Sequence, residues 1–452
     1  MENTREIILD GLLELEREEG FSNVLVRGML QKYDYLPVQE KAFIKRVTEG
    51  TVERRIELDY ILNQFSSVPV PKMKPLIRQL MRMSVYQLLY MDAVPDSAAC
   101  NEAVRLAQKR HFQSLKGFVN GVLRSIARSK DRIVYPDKEK DWMRGVSVRY
   151  SMPEFLVGLW EKDYGREQTE RMCASLLSVK PVSLRISEAL SFKEQEELTE
   201  VWRRRGIACE RDPYLPYAWR CQNLEGLHKL PGFSEGLMAV QDVSSMLVTE
   251  CAGIKEGDLV LDTCAAPGGK SLHASLKAGK TGQVEARDLS EDKAALIREN
   301  AERMKAGNLH VKVWDARVFD AEAEGKADVL YLDLPCSGLG IIGKKRDIKY
   351  HVTKESLAEL AVLQREIIEA CWRYVKPGGV IMYSTCTVHR AENEEQVQWM
   401  CREFPLETES LNPYLPEKLK CEEAESGMLQ LVPGVHECDG FFLARLRRRE
   451  KD

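Results

Sequence analysis

The chain has 452 residues, of which 44% are hydrophobic, so it is long enough for two to four domains with real cores and is not an intrinsically disordered tail. Its 66 Lys and Arg against 70 Asp and Glu leave a net charge of −4, so bulk charge announces no nucleic-acid partner and only the distribution of charge can. Twelve cysteines, with no CxxC pair and no His/Cys cluster at zinc-ligand spacing, exclude a disulfide framework and a structural zinc as first expectations; a reducing cytoplasm fits best.

The N-terminal MENTREIILDGLLELEREEG is an acidic amphipathic helix pattern without the basic and apolar regions of a signal peptide. No apolar stretch approaches the roughly 20 residues needed to span a bilayer, so no membrane association is expected. The first 130 residues carry helical periodicity, with Ile77, Leu80, Met81 and Leu88 on one face, and are punctuated by Pro69, Pro71 and Val94-Pro95-Asp96. Residues 71–130 hold eleven Lys and Arg (Lys72, Lys74, Arg78, Arg82, Arg105, Lys109, Arg110, Lys116, Arg124, Arg128, Lys130) against three acids, an excess of eight positive charges. This pattern is either a phosphate-binding face or a set of solvated helix faces. The polar IVYPDKEKDW (133–142) reads as a linker. Beyond it come a helical pattern, the strand-like Val182–Ile186, a charged helix over 191–206 and another short strand, a small α/β unit. From Gly232 to Arg448, strands over Leu259–Asp262, Gln283–Asp288, Val311–Asp315, Val329–Asp333 and Val380–Ser384 alternate with helices, which predicts a doubly wound parallel sheet.

The chemistry concentrates at the carboxyl ends of these strands, where an open parallel sheet forms its ligand crevice. Leu259–Asp262 runs into CAAPGGK (264–270), a glycine-bearing turn that lets a nucleotide cofactor approach backbone amides at a helix N-terminus. It is not the dinucleotide GxGxxG. Asp262, Asp288, Asp315 and Asp333 each end a strand; one such acid could simply cap the following helix, but four in register after a glycine turn point to a ligand. Asp288 lies twenty residues beyond Gly268, the spacing of a ribose-binding acid. Most cysteines are core fillers, and Cys100, Cys173, Cys251, Cys371 and Cys401 are read so. Cys336 in DLPCSG and Cys386 in YSTCT differ, because each follows a strand's carboxyl end in a turn-like context where a thiol is accessible. Two thiols facing one crevice beside a cofactor loop suggest covalent catalysis.

CAAPGGK, DLPCSG and YSTCT, in that order and spacing, resemble the signature of the RNA cytosine-5 methyltransferases of the Sun (Fmu) family, which use S-adenosylmethionine. FSEGLMAVQDVSSML (233–247) resembles the segment leading into that family's cofactor loop, and CDGFFLARL (438–446) its closing strand. Upstream, VTEGTVERRIELDYIL (47–62), LMRMSVYQLLYMDAVPDSAACNEAV (80–104) and GFVNGVLR (117–124) resemble the NusB RNA-binding fold, a combination found in the RsmB branch. The resemblance covers essentially the whole chain and implies three domains: a NusB-like all-α domain over 1–136, a small α/β RNA-binding or linker domain over 146–232, and a Rossmann-like α/β methyltransferase domain over 233–450.

Carried over residue by residue, the resemblance makes Cys264, Ala265, Ala266, Pro267, Gly268, Gly269 and Lys270 the loop for the methionine part of the cofactor. Asp288 becomes the ribose ligand and Asp315 the adenine-side ligand. Asp333 approaches the reactive centre, Cys386 is the nucleophile and Cys336 assists product release. Leu334, Ser271, Thr387 and Arg346 depart from the usual alanine, threonine, serine and proline without touching an expected reacting atom. The implied activity is methylation of carbon 5 of a cytosine in small-subunit rRNA before full assembly, without a metal. A thiolate must first add to carbon 6 of the ring, and Asp333 is the candidate donor for the charge that develops at N3. The basic face and the KKRDIKY loop (344–350) are expected to hold surrounding phosphates. The same chemistry on transfer RNA, or a non-catalytic RNA-binding factor, are the alternatives.

Overall fold

A computed structural model describes residues 3–18, 20–224 and 226–450, which form two compact units. The first comprises the chain up to Ser178 together with Ile342–His351, and the second comprises Val179–Ile341 and the chain from Val352 onward.

The first unit is helical: Thr4–Glu18, Ser22–Lys32, Val38–Glu53, Arg55–Phe65, Pro75–Tyr90, Asp96–Lys109, Lys116–Arg128, Trp142–Tyr150 and Glu154–Leu176. Prolines 37, 95 and 153 precede three of these helices and Pro75 opens a fourth, the positions where a fixed φ and a missing N–H cost nothing. The expected stripe of Ile77, Leu80, Met81 and Leu88 is buried, packed with Ile8, Ile44, Leu58, Ile61 and Leu123.

The expected cationic face is largely neutralised. Lys109 and Arg110 pair with Glu6, Arg110 also with Asp10, Arg78 with Glu16, Arg82 with Asp59, Arg105 with Glu102 and Lys130 with Asp96. Three of those acids lie in the first helix, outside the window over which the excess charge accumulates. Lys72, Lys74, Lys116 and Arg128 are exposed and have no ion-pair partner among the described residues.

Most of the basic loop 344–350 is likewise not a phosphate clamp, because it is built into the helical unit. Lys349 is buried and donates to Glu53 O at 2.8 Å, Tyr350 Oη donates to the same carbonyl at 3.1 Å, and Arg346 pairs with Glu49 and Glu53. Burial pushes the Lys349 ammonium down to about 7 and the Glu53 carboxyl up. Lys344 and Lys345 stay at the surface.

The second unit begins with a four-stranded antiparallel sheet: β1 Val182–Ile186, β2 Ala208–Arg211, β3 Ala218–Gln222 and β4 Met238–Val240, in the order β2-β3-β1-β4. The intervening helix Phe192–Arg204 starts at a reciprocal Ser191/Glu194 capping box and buries Trp202 against this sheet. An eight-stranded sheet follows, with β5 Leu259–Asp262, β6 Gln283–Asp288, β7 Leu309–Val313, β8 Ala327–Asp333, β9 Val375–Thr385, β10 Leu406–Thr408, β11 Met428–Leu431 and β12 Phe441–Arg448. Its path is β10-β12-β9-β8-β5-β6-β7, with β11 also on β12. The five strands β5 to β9 are parallel, as expected of a doubly wound sheet, but β12 runs antiparallel to β9 and carries β10 and β11, so the sheet is mixed. The chain leaves β5 toward β6 and β7 on one side and resumes with β8 on the other, so the topological switch point lies between β5 and β8.

Candidate active site

Two aspartates mark the switch point: Asp262 closes β5 and Asp333 closes β8. Between β5 and the helix Gly269–Ala278, the loop turns at Gly268 with φ +99°, where a side chain would also press on Ile297 Cγ2 at 3.2 Å. Ser271 Oγ donates to Asp262 Oδ2 at 2.6 Å, while Asp262 Oδ1 is buried with no hydrogen-bond partner. Burial above all, and then the charge of Asp333, push the Asp262 carboxyl up to about 7. Lys270 Nζ donates to Asp333 Oδ2 at 2.7 Å and Ser384 Oγ, from β9, donates to Asp333 Oδ1 at 2.7 Å. Burial acts to lower the Lys270 pKa, but the Asp333 carboxylate outweighs it and the ammonium is held above its ordinary value.

Asp288 closes β6 and clamps the loop: its Oδ2 accepts from Ala266 N at 2.9 Å, its Oδ1 from Leu289 N at 2.8 Å, and Lys293 approaches at 3.1 Å. The Ala266–Pro267 peptide is cis, and burial pushes the Cys264 thiol up. Asp315 lies two residues beyond β7 rather than in it, half-buried, in a two-pronged pair with Arg317 whose hydrogen bonds hold its carboxyl below the ordinary range.

Cys336 follows β8 and Cys386 follows β9, neighbouring parallel strands, and the structure brings their Sγ atoms to 3.3 Å. The Cys336 thiol is pushed well up, first by its hydrogen bond to Cys386 and then by burial. Sequence reasoning missed the scaffold beneath. Glu392 is buried and accepts from Ser337 N at 2.8 Å, Ser337 Oγ at 2.5 Å and Gln364 Nε2 at 3.1 Å, with His389 Nδ1 at 3.2 Å. Ser337 Oγ lies 2.7 Å from Thr387 Oγ1, and Asn393 Nδ2 donates to Thr387 O at 3.1 Å. Both cysteine-bearing turns thus hang on one buried carboxylate. The available signal was an acid six residues past Cys386, which reads instead as part of a charged helix start.

The family model for 16S rRNA methyltransferases RsmB/F matches residues 251–447, and the NusB family model matches residues 2–128. A Bacillus subtilis (strain 168) protein named probable ribosomal RNA small subunit methyltransferase B is 35% identical over 452 residues, covering 99% of each chain. The chain belongs to the RsmB/F family. A Proteus mirabilis ribosomal RNA small subunit methyltransferase B is 31% identical over 96% of both proteins. Among solved structures, PH0851 superposes with a TM-score of 0.81 over 100% of this chain and 99% of its own, at 22% identity, which speaks to fold alone. A methyltransferase homologue from Pyrococcus horikoshii gives 0.55 at 26% identity over 68% of this chain and 99% of its own.

This RsmB/F member is an RNA methyltransferase that uses S-adenosylmethionine. The switch point fits that cofactor. Asp262 Oδ1 offers a buried acceptor with no protein partner, and a side chain added at Gly269 would meet nothing nearer than Gln241 at 3.8 Å, which leaves the turn open to a ligand.

Proposed function

We propose that this chain methylates carbon 5 of a specific cytosine in small-subunit (16S) rRNA through a covalent cysteine adduct, before the subunit is fully assembled. The observation that carries this reading is the cysteine pair at 3.3 Å beside the cofactor turn. In this reading residues 264–270 hold the methionine part of the cofactor, Asp288 the ribose and Asp315 the adenine side. When bound, S-adenosylmethionine supplies an electrophilic methyl group. The base must leave its stack to enter such a crevice, as single-stranded loops allow.

Carbon 5 of cytosine is a weak nucleophile until a thiolate adds to carbon 6, and Cys386, the family's nucleophile position, supplies that thiolate with Cys336 in contact with it. The addition pushes negative charge toward N3. Because Asp333 accepts from Lys270 and Ser384 at its two oxygens, the donor expected of Asp333 is instead the Lys270 ammonium, which Asp333 orients. After methylation the proton on carbon 5 leaves to solvent and the carbon–sulfur bond to Cys386 breaks. Cys336, whose sulfur lies 3.3 Å away, donates a hydrogen bond to the departing sulfur and so stabilises it as a leaving group. Glu392 positions both turns without touching the base.

Residues 233–450 then carry the chemistry, while residues 1–136 and 146–232 place the RNA, in the cytoplasm. The test is bisulfite sequencing of 16S rRNA incubated with enzyme and S-adenosylmethionine, as bare RNA and as assembled subunits. One cytosine protected from conversion, on bare RNA, is expected. Incorporation of labelled methyl with every cytosine still converted would exclude carbon 5.

A further inference from the structure

A second cysteine pair lies far from this chemistry in sequence, in the hairpin of the small antiparallel sheet. Cys209 on β2 and Cys221 on β3 are direct cross-strand partners. Asp212 N donates to Ala218 O, which makes that facing pair a hydrogen-bonded one; counting back along the ladder makes Cys209 and Cys221 a non-hydrogen-bonded pair. There the Cα atoms of antiparallel strands come closest, about 4.5 Å, within the span a disulfide bridges. The two Sγ atoms lie 3.0 Å apart, and both cysteines are free thiols.

The two sulfurs are not equivalent. Cys209 is half-exposed on β2, the edge strand, whereas Cys221 is buried with Leu184, Trp202 and Trp219. The Arg203 guanidinium donates through Nε and Nη2 to Cys209 O, both at 3.4 Å, placing a positive charge beside this half-exposed residue. The hydrogen bond from Cys221, and then Arg203, hold the Cys209 thiol below its ordinary range against the effect of burial, and the same hydrogen bond pushes Cys221 up. An accessible thiol with a second, buried thiol already in contact is the arrangement of an attacking and a resolving cysteine.

We propose that Cys209 and Cys221 form a peroxide-reactive dithiol that closes reversibly into an intramolecular disulfide. The Cys209 thiolate attacks one oxygen of a hydroperoxide, a sulfur–oxygen bond forms as the oxygen–oxygen bond breaks, and the departing oxygen takes up a proton. Cys221 then attacks the Cys209 sulfur; the sulfur–sulfur bond forms, the sulfur–oxygen bond breaks, and hydroxide leaves as water with the Cys221 proton. With hydrogen peroxide as oxidant, two thiols are oxidised by two electrons in all and one peroxide is reduced to two waters. The closed form ties β2 to β3, and a dithiol reductant reopens it.

The test treats the folded full-length protein with hydrogen peroxide, removes the oxidant with catalase, alkylates under denaturing conditions and digests with trypsin without reductant. Cys209 then lies in the peptide 206–211 and Cys221 in 221–229, both distinct from the peptides bearing Cys336 and Cys386. Expected is a linked pair of these two peptides, lighter than their sum by two hydrogens, with alkylated Cys209 and Cys221 lost together and restored by dithiothreitol. In Cys221→Ser, Cys209 is expected to persist as a sulfenic acid trapped by dimedone. Full alkylation of both cysteines after peroxide, or Cys209 oxidised further while Cys221 remains alkylated, would overturn the proposal from the wild-type protein alone.

Discussion

Asp262→Asn is expected to stabilise the catalytic unit above neutral pH and to weaken cofactor binding. The Asp262 carboxyl is enclosed at the end of β5 and raised from 3.8 to about 7. Between those values the folded chain keeps a proton that the unfolded chain has released, so stability falls as pH rises through this window and stays low above it. At about 1.4 kcal/mol per tenfold in acidity, ionising the folded carboxyl costs on the order of 4 kcal/mol. Local relaxation lowers the gain expected from the neutral isostere to about 2–3 kcal/mol at pH 8 and about 1 kcal/mol at pH 5, and it vanishes only below about pH 3.8, where the unfolded carboxyl is protonated as well. An asparagine oxygen still accepts from Ser271 Oγ, so packing and that bond survive. Urea unfolding of wild type and variant, without cofactor, at pH 5 and pH 8 reads the effect. Midpoints separated equally at both pH values would refute the reasoning, because no titration of Asp262 would then contribute. Calorimetric titration with S-adenosylhomocysteine should show the affinity loss, since the buried Oδ1 is the acceptor the protein leaves unused.

Asp288→Ala should weaken S-adenosylhomocysteine binding by about 1.5–3 kcal/mol, the value of a charge-assisted hydrogen bond, and calorimetry at wild-type affinity would remove Asp288 from the site. Glu392→Gln places an amide N–H where Ser337 and Gln364 donate, so kcat should fall by about ten- to a hundredfold with cofactor affinity retained, as steady-state kinetics would show. Neutralising Lys72, Lys74 and Lys116 should lower the salt slope of RNA binding by up to about 0.9 for each lysine that meets a phosphate. The same neutralisation of Arg105, Lys109 and Arg110 should leave the slope nearly unchanged, because Glu102, Glu6 and Asp10 already partner them; filter binding across salt concentrations separates the two triples.

The site was legible where short-range pattern decides position. Apolar runs ending in Asp262, Asp288 and Asp333 are strands that close on those residues, and the turns bearing Cys336 and Cys386 follow neighbouring strands, which parallel order brings together. Asp315 slipped beyond its strand because β7 ends at Val313 and Asp315 opens the turn that follows, its carbonyl accepting from Val318 N. The antiparallel pairing of β12 with β9 escaped periodicity, since an apolar run does not declare the direction of its neighbour. Charge was the least legible quantity. Counting Lys and Arg in one window missed Glu6, Asp10 and Glu16, which come from a helix sixty or more residues earlier, and KKRDIKY looks cationic although Lys349 is buried against Glu53. Glu392 stayed hidden because its role depends on Ser337 and Gln364, which only the tertiary fold places beside it.

Incubation of each cysteine variant with target RNA and radiolabelled S-adenosylmethionine, followed by denaturing electrophoresis, separates attack by Cys386 from product release by Cys336. Cys386→Ala is expected to bind cofactor yet form no covalent RNA species and no methylated product. Cys336→Ser should still attack and methylate but release slowly, so a labelled enzyme–RNA band of reduced mobility should accumulate. A labelled adduct with Cys386→Ala and none with Cys336→Ser would contradict the account by exchanging the two roles, and the absence of any adduct with Cys336→Ser would remove Cys336 from product release.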